Sequence, residues 1–302
     1  MGSKLRVLEL FAGIGGCAAA LRGAAAEVVA AVDINRSALE VYRHNFSHPI
    51  ETCTIESLSA SWFDNWQADL WWLSPPCQPY TRRGKQLDLE DPRSQALLTL
   101  LERIEQVQPN YIALENVPPF ADSQARTRLG EILSRCGYEF AEQILCPTEL
   151  GVPNRRRRYY LLAGKKPLGA PPRPEPQSAG VADYLDAEVD QSLDVSPELL
   201  QKYAGALDLV AVDDPAAVTA CFTAAYGRSP VRSGSYLQTP SGVRRFSPAE
   251  ILRLLGFPRD YHLPEALTPA KAWPLVGNSL SVVAVRHVLA QIEELALGRN
   301  RN

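Results

Sequence analysis

The segment Ser74-Pro75-Pro76-Cys77-Gln78-Pro79 follows the apolar run Leu70-Trp71-Trp72-Leu73, so one cysteine stands just beyond a hydrophobic stretch of strand length. Each proline fixes φ at about −65° and removes a backbone donor, which sends the chain out of the strand on a stiff path and aims the thiol consistently. A thiolate is a soft nucleophile suited to an electron-poor ring carbon, even when only a small fraction is ionised. The same residues also fit a strand end with a buried structural thiol. Three further groups carry chemistry: Glu115-Asn116-Val117, the unbroken run from Arg155 to Arg158, and Gly277-Asn278-Ser279-Leu280. Near the start lies Phe11-Ala12-Gly13-Ile14-Gly15-Gly16, in which Gly13, Gly15 and Ala18 satisfy a loose G-x-G-x-x-G/A pattern, with Asp33 closing the next apolar run.

These residues need a frame that brings them together. Strand-like runs at 6–11, 28–32, 70–73, 111–114 and 159–163 alternate with helical patterns at 16–24, 36–45, 94–107 and 127–136. This βαβ rhythm predicts an α/β fold with a largely parallel sheet covered by helices on both faces. The glycine turn then joins the first strand to the first helix, where a ligand can approach backbone amides at a positive helix end. Asp33 can accept both hydroxyls of a ribose, a task that suits NAD or S-adenosylmethionine equally. After Lys166 the texture changes, with five prolines among residues 167–176, and this marks a boundary. Ser247-Pro248-Ala249-Glu250 reads as a capping box opening a helix that Gly256 and Pro258 end, and a last helix is expected over 281–297.

The chain has 302 residues, room for one large domain and a smaller one, and its 46% hydrophobic content is ordinary for a soluble protein. Its six cysteines include no CxxC pair, which predicts free thiols and a reducing compartment. No cysteine or histidine spacing fits a metal site, so none is expected. With no run of eighteen apolar residues, the expected location is cytoplasmic, away from a membrane. A net charge of −3 means that any nucleic-acid contact must use local basic patches. Candidates are Arg82, Arg83 and Lys85 just after Cys77, the run 155–158, and the group Arg228, Arg232, Arg244 and Arg245.

Taken in order, the glycine turn, the Pro-Cys turn, Glu115-Asn116-Val117, the arginine run and Gly277-Asn278-Ser279-Leu280 resemble the motifs of the cytosine C5 methyltransferase family. The resemblance covers nearly the whole chain outside residues 170–240. Cys221-Phe222-Thr223, followed by Tyr226-Gly227 and a short recognition region, is similar to the branch that methylates tRNA and was once classed with DNA enzymes. The resemblance implies a Rossmann-like S-adenosylmethionine-dependent methyltransferase fold. Residues 1–168 and 270–302 would form the catalytic, cofactor-binding domain, and residues 169–269 a small target-recognition domain.

It also implies roles. Cys77 would add to carbon 6 of a cytosine and make carbon 5 nucleophilic toward the methyl donor. Glu115 would protonate or hydrogen-bond ring nitrogen 3, which requires burial to keep it partly neutral, and Asn116 would hold its turn. Of Arg156 and Arg158, which share a face of an extended segment, one would polarise the pyrimidine carbonyl and the other support the cysteine loop or the target phosphate. Arg155 and Arg157 then face outward. Phe11, Gly13, Ile14 and Gly16 would floor the S-adenosylmethionine pocket. Asp33 and Ile34 would meet the ribose and adenine edge, Ile55 and Glu56 the adenine rim, and Pro76, Asn278 and Ser279 would close it. Arg82, Arg83, Lys85, Cys221, Phe222 and Thr223 would face the substrate, and residues 80–93 would form a mobile loop over an extruded base.

Three positions depart from common patterns. Phe11-Ala12-Gly13 stands where many animal members of the tRNA branch carry Tyr-Ser-Gly, Tyr80 replaces a more usual Phe, and Asn154 stands where many DNA enzymes have Gln. The expectation is a monomeric enzyme that methylates a cytosine in a tRNA anticodon loop, aspartate tRNA by default, with DNA a weaker partner. A DNA cytosine-5 methyltransferase is the alternative. An NAD-dependent oxidoreductase and a noncatalytic RNA-binding module stand further off, since both leave the Pro-Cys turn and its companions unused.

Overall fold

The computed structural model describes residues 4–81, 87–173, 179–188 and 190–295. In chain order its elements are β1 (Leu5–Leu10), α1 (Gly16–Ala20), β2 (Ala26–Val32), α2 (Arg36–Asn45), β3 (Ile50–Glu51), α3 (Ala60–Asn65), β4 (Leu70–Leu73), α4 (Gln95–Val107), β5 (Tyr111–Asn116), α5 (Gln124–Arg135), β6 (Glu139–Leu145) and β7 (Arg158–Gly164). There follow α6 (Pro197–Lys202), β8 (Asp208–Ala211), β9 (Ser235–Thr239), β10 (Gly242–Arg245), α7 (Pro248–Leu254), α8 (Pro269–Gly277) and α9 (Val282–Leu289). The seven-stranded sheet runs β3-β2-β1-β4-β5-β7-β6, and a three-stranded sheet runs β10-β9-β8.

The central strands β1, β4 and β5 are nearly continuous apolar runs because a parallel sheet is covered on both faces. Successive side chains alternate sides. Trp71 therefore enters a cluster with Leu100, Ile104, Leu129 and Leu133 from α4 and α5, whereas Trp72 enters one with Ala19, Val285 and Leu289 from α1 and α9. The second cluster continues without a break into Phe222, Tyr226, Tyr236, Phe246 and Trp273 beside the small sheet.

The expected strands form and the sheet is largely parallel, with β3, β2, β1, β4 and β5 parallel and two strands joined by antiparallel pairing at one edge. β7 runs antiparallel to β5, pairing Tyr160 with Glu115, and antiparallel to β6. β6 was not anticipated, because it is an edge strand whose Glu139, Ala141, Glu142 and Ile144 remain outside the core and blur the hydrophobic pattern. The capping box at Ser247 and Glu250 forms as expected, with Ser247 Oγ accepting from Glu250 N. Helix α1 stops at Ala20 rather than residue 24, and α5 begins at Gln124 because Ser123 caps it. The last helix ends at Leu289, with a short 3-10 turn over Glu293–Leu295 in place of its expected continuation, while α8 lies outside the expected set.

Of the two charged residues of β1, Arg6 and Glu9, only the second is buried. Glu9 is fully buried, and its carboxylate accepts from Cys17 N at 2.9 Å, Ala18 N at 3.2 Å and Tyr42 Oη at 2.5 Å. The carboxyl oxygens of Glu9 thus satisfy two amides of the first turn of α1, which an incoming ligand need not do. Burial outweighs these bonds and raises the Glu9 pKa to about 7. A folded-state pKa above the unfolded value means the folded chain holds the proton more tightly. The stability from Glu9 is therefore full below the unfolded value and is lost as pH rises to about 7, by roughly 3 kcal/mol. Urea unfolding of the wild type and Glu9→Gln at pH 5 and pH 8 should show this slope in the wild type alone; parallel profiles would overturn it.

Candidate active site

The carboxyl ends of β1, β2, β4 and β5 lie along one edge of the sheet, where α/β folds place ligands. Cys77 follows β4 at the head of a tight turn, its carbonyl accepting from Tyr80 N at 3.0 Å and Thr81 N at 3.1 Å. Asn116, at the end of the neighbouring β5, donates to Pro75 O at 3.2 Å and accepts from Val117 N at 2.8 Å. It ties the cysteine turn to the glutamate turn. Tyr80 is buried, with its ring edge-on to Phe120 at 4.9 Å. The hydroxyl that distinguishes it from Phe points to Ser94 Oγ at 3.5 Å.

Glu115 is 8% exposed and pairs with Arg158, Nε to Oε1 at 3.2 Å. Burial raises the pKa of its carboxyl, and Arg158 and Arg156 only partly oppose this. The group is thereby held closer to the neutral acid, as a proton donor to a ring nitrogen must be. Burial likewise pushes the Cys77 thiol up; Arg158 pulls it down, Glu115 adds to the rise, and the balance is above the usual cysteine value.

Arg156 and Arg158 do share a side, with Arg155 and Arg157 exposed, but they are not equivalent. Arg156 is 3% exposed and spends its donors on Phe222 O at 3.0 Å, Gly277 O at 3.3 Å and Ser279 O, with Cys221 Sγ at 3.5 Å from Nη1. Of the two roles expected for this arginine pair, support rather than substrate contact suits Arg156, whose terminal nitrogens join two distant segments through protein carbonyls. Arg158, facing Glu115 and Cys221, is the member that lowers the Cys77 thiol more. Asn154 is buried beside them and donates to Thr219 Oγ1 at 2.9 Å, locking the start of the arginine run to the segment before Cys221.

The glycine turn is built as expected, with its anions already assigned. Phe11, Gly13 and Gly15 take φ of 58°, 55° and 88°. A Cβ on Gly15 would lie 2.5 Å from the Phe46 ring, whereas one on Gly13 would meet nothing within 4 Å. Asp33 accepts from Gly13 N at 2.8 Å and Asn35 N at 2.7 Å, so it pins the turn, and each oxygen keeps a lone pair for a hydroxyl. Ile14 is buried, and its carbonyl accepts from Tyr261 Oη. Gly16 packs against Leu280, which brings the C-terminal segment to the first turn of α1. Asn278 is exposed there, whereas Ser279 is buried with its carbonyl on Arg156. Ile34 is 67% exposed, a free apolar side chain beside Asp33. Ile55 belongs to the core, so the exposed part of the expected adenine rim is Ile34 with Glu56, and Pro76 is half-buried. Open space at Gly13, free lone pairs on Asp33 and an uncovered Ile34 fit a nucleoside such as that of S-adenosylmethionine.

The model of the family described as C-5 cytosine-specific DNA methylase matches residues 5–204 and 210–294. The chain belongs to this family. It is 34% identical to the tRNA (cytosine(38)-C(5))-methyltransferase of Schizosaccharomyces pombe, an alignment covering 96% of this chain and 97% of the relative. It is 33% identical to the human protein of the same name, over 95% and 98%. The crystal structure of the S. pombe Dnmt2 methyltransferase superposes with a TM-score of 0.86 at 34% identity, covering 97% and 100% of the two chains.

In this C-5 methylase the segment Cys221–Thr223 lies against the site. Phe222 is buried against Tyr226 and Phe246, and Thr223 N donates to Ser233 O at 2.8 Å. A Cβ on Gly277 would stand 2.3 Å from the Thr223 backbone, so this close approach requires glycine. Of the expected basic patches, Arg228 and Arg232 are exposed, but Arg244 is buried in a two-bond ion pair with Glu250 and leaves the patch. Arg245 lies over the Trp273 ring. Arg82, Arg83 and Lys85 lie outside the described residues. The expected mobile loop is anchored at both described ends: Tyr80 is buried, and Asp88 accepts from Gln124 N at 2.6 Å and Ala125 N at 3.2 Å. Sequence reasoning missed Glu9 and Tyr42, although a lone carboxylate between Leu8 and Leu10 in an apolar strand was the available signal.

Proposed function

We propose that this methylase modifies carbon 5 of a cytosine in a tRNA anticodon loop, with aspartate tRNA the default acceptor. What supports the reading most is the cluster of Cys77, Glu115 and Arg158 at one sheet edge, in a chain 34% identical to an enzyme named for tRNA cytosine 38. Cys77 supplies the nucleophile. Its thiol must lose a proton before sulfur bonds to ring carbon 6, and Arg158 stabilises the anion as it forms. Glu115, held toward its acid form, donates to ring nitrogen 3 as negative charge moves into the ring. Loss of the proton at carbon 5 later lets sulfur depart and restores the aromatic ring. S-adenosylmethionine, when bound, supplies the electrophilic methyl group. Phe11, Gly13, Ile14, Gly16, Asp33, Ile34, Glu56, Pro76 and Asn278 would hold it, Asp33 at the ribose and Ile34 at the base.

We read residues 1–168 with 270–302 as the catalytic unit and residues 169–269 as the recognition unit. The working form is a monomer in the cytoplasm, where its six unpaired thiols stay reduced. A base in an RNA loop is already unpaired, so its extrusion avoids part of the few kcal/mol that a duplex demands. Tritiated methyl transfer to bulk tRNA and to duplex DNA tests the substrate. Label should enter tRNA, and label entering DNA alone would overturn the proposal.

A further inference from the structure

Two guanidinium groups close on one sulfur at the base of the site. Cys221 Sγ lies 3.5 Å from Arg156 Nη1 and 3.9 Å from Arg158 Nη2. Arg158 has a carboxylate partner in Glu115. Arg156 has none within ion-pair distance among the described residues; its other acceptors are backbone carbonyls of Phe222, Gly277 and Ser279. The cluster therefore sets two cations, Arg156 buried and Arg158 partly exposed, against one carboxylate, and an uncompensated buried charge is costly. The groups facing this sulfur are the two arginines on the β7 side, while Glu115 on β5, Tyr160 on β7 and Cys77 after β4 act through those arginines.

We propose that Cys221 is the counter-ion of Arg156 and Arg158, and that its thiolate moderates the positive potential these arginines present to Cys77. This role rests on the reading of Cys77 as the nucleophile. Ionisation breaks only the S–H bond and delivers the proton to water. Cys221 touches neither substrate nor cofactor in this scheme and is a positioning residue, acting through the arginines. The rival state is a neutral thiol donating to Phe222 O, 3.6 Å away, an acceptor that it would share with Arg156 at 3.0 Å. The two sulfurs respond oppositely to the same arginines. At Cys221 burial raises the pKa, but Arg156 and Arg158 together overcome it and the thiol falls below the usual value. At Cys77 burial prevails and the thiol rises.

Thiolate absorbance near 240 nm, followed against pH in the full chain, tests this directly. In Cys77→Ala one thiolate should titrate below the ordinary cysteine range of about 8.5, and this step should vanish in Cys77→Ala/Cys221→Ser. Identical titrations of the two chains would overturn the proposal. Should the double variant fail to fold, peptide mapping of iodoacetamide labelling in Cys77→Ala alone decides the question. Cys221 should then reach its full labelling rate below the ordinary cysteine pH, and labelling that rises only near that pH would overturn the counter-ion role. In Cys221→Ser the labelling midpoint of Cys77 should move down by about one pH unit, a shift that a purely structural Cys221 would not cause. These measurements read charge without methyl transfer. A chain that titrates as expected yet transfers no methyl to tRNA would count against the proposed function and not against the counter-ion.

Discussion

Cys77→Ala should abolish methyl transfer, by at least about a thousandfold, while leaving S-adenosylhomocysteine binding within a factor of about two. The separation follows from where the parts lie. The proposed cofactor floor is built on the turn after β1 and on Asp33 after β2, and Gly13 N to Asp33 is the bond that sets it. The cysteine turn is held from the other side by Asn116 to Pro75 O and by its own Tyr80 and Thr81 amides, none of which uses the thiol. Truncation at Cβ therefore removes the nucleophile without loosening its mounting. Calorimetry with S-adenosylhomocysteine, paired with tritium incorporation into tRNA, reads both quantities. Residual turnover above about one part in a hundred would sink the covalent role.

The second large effect is on stability. Arg156→Ala should cost about 3–5 kcal/mol, because it strips a buried donor set from three carbonyls in two segments far apart in sequence. Phe222 O, Gly277 O and Ser279 O lie where water has little access, since Arg156 itself is 3% exposed and Gly277 is backed against Thr223. Arg156→Lys should recover only part of the loss, since an ammonium is a compact point charge and cannot span the same fork of acceptors. Urea unfolding gives the measurement, and a loss under about 1 kcal/mol for Arg156→Ala would show that solvent replaces the guanidinium at little cost. A smaller effect on unfolding than on turnover would instead return Arg156 to the substrate side of the site.

The sequence made the site more legible than the sheet. Cys77, Glu115 and Arg158 are separated by tens of residues, yet parallel pairing of β4 and β5 carries the first two to one edge, and the antiparallel pairing of β7 with β5 brings Arg158, which opens β7, to the same edge. What could not be read was which groups already had partners. Nothing local in the run Arg155–Arg158 distinguishes a guanidinium bonded to carbonyls 66 and 121 residues away from one paired with a carboxylate on β5. Arg244 misled for the same reason, since its burial with Glu250 depends on β10 folding against α7. β6 escaped notice because the like pairs Phe140-Ala141 and Glu142-Gln143 break the alternation that marks a half-buried strand.

The return of the late chain to the first helix has a consequence for synthesis. Leu280 fills the space beside Gly16, Arg286 Nη1 donates to Ala20 O at 2.8 Å and Arg22 O at 3.0 Å, and Leu295 O receives Ala25 N at 2.9 Å. A ribosome that has released β1 through β5 has delivered the proposed nucleophile Cys77 and acid Glu115, but not Arg158 on β7, the wall at residues 277–280 or the acceptors that hold Arg156. The nascent polypeptide must wait for residues 277–295 before the proposed pocket can close, so termination in α8 should leave the proposed nucleophile without that wall.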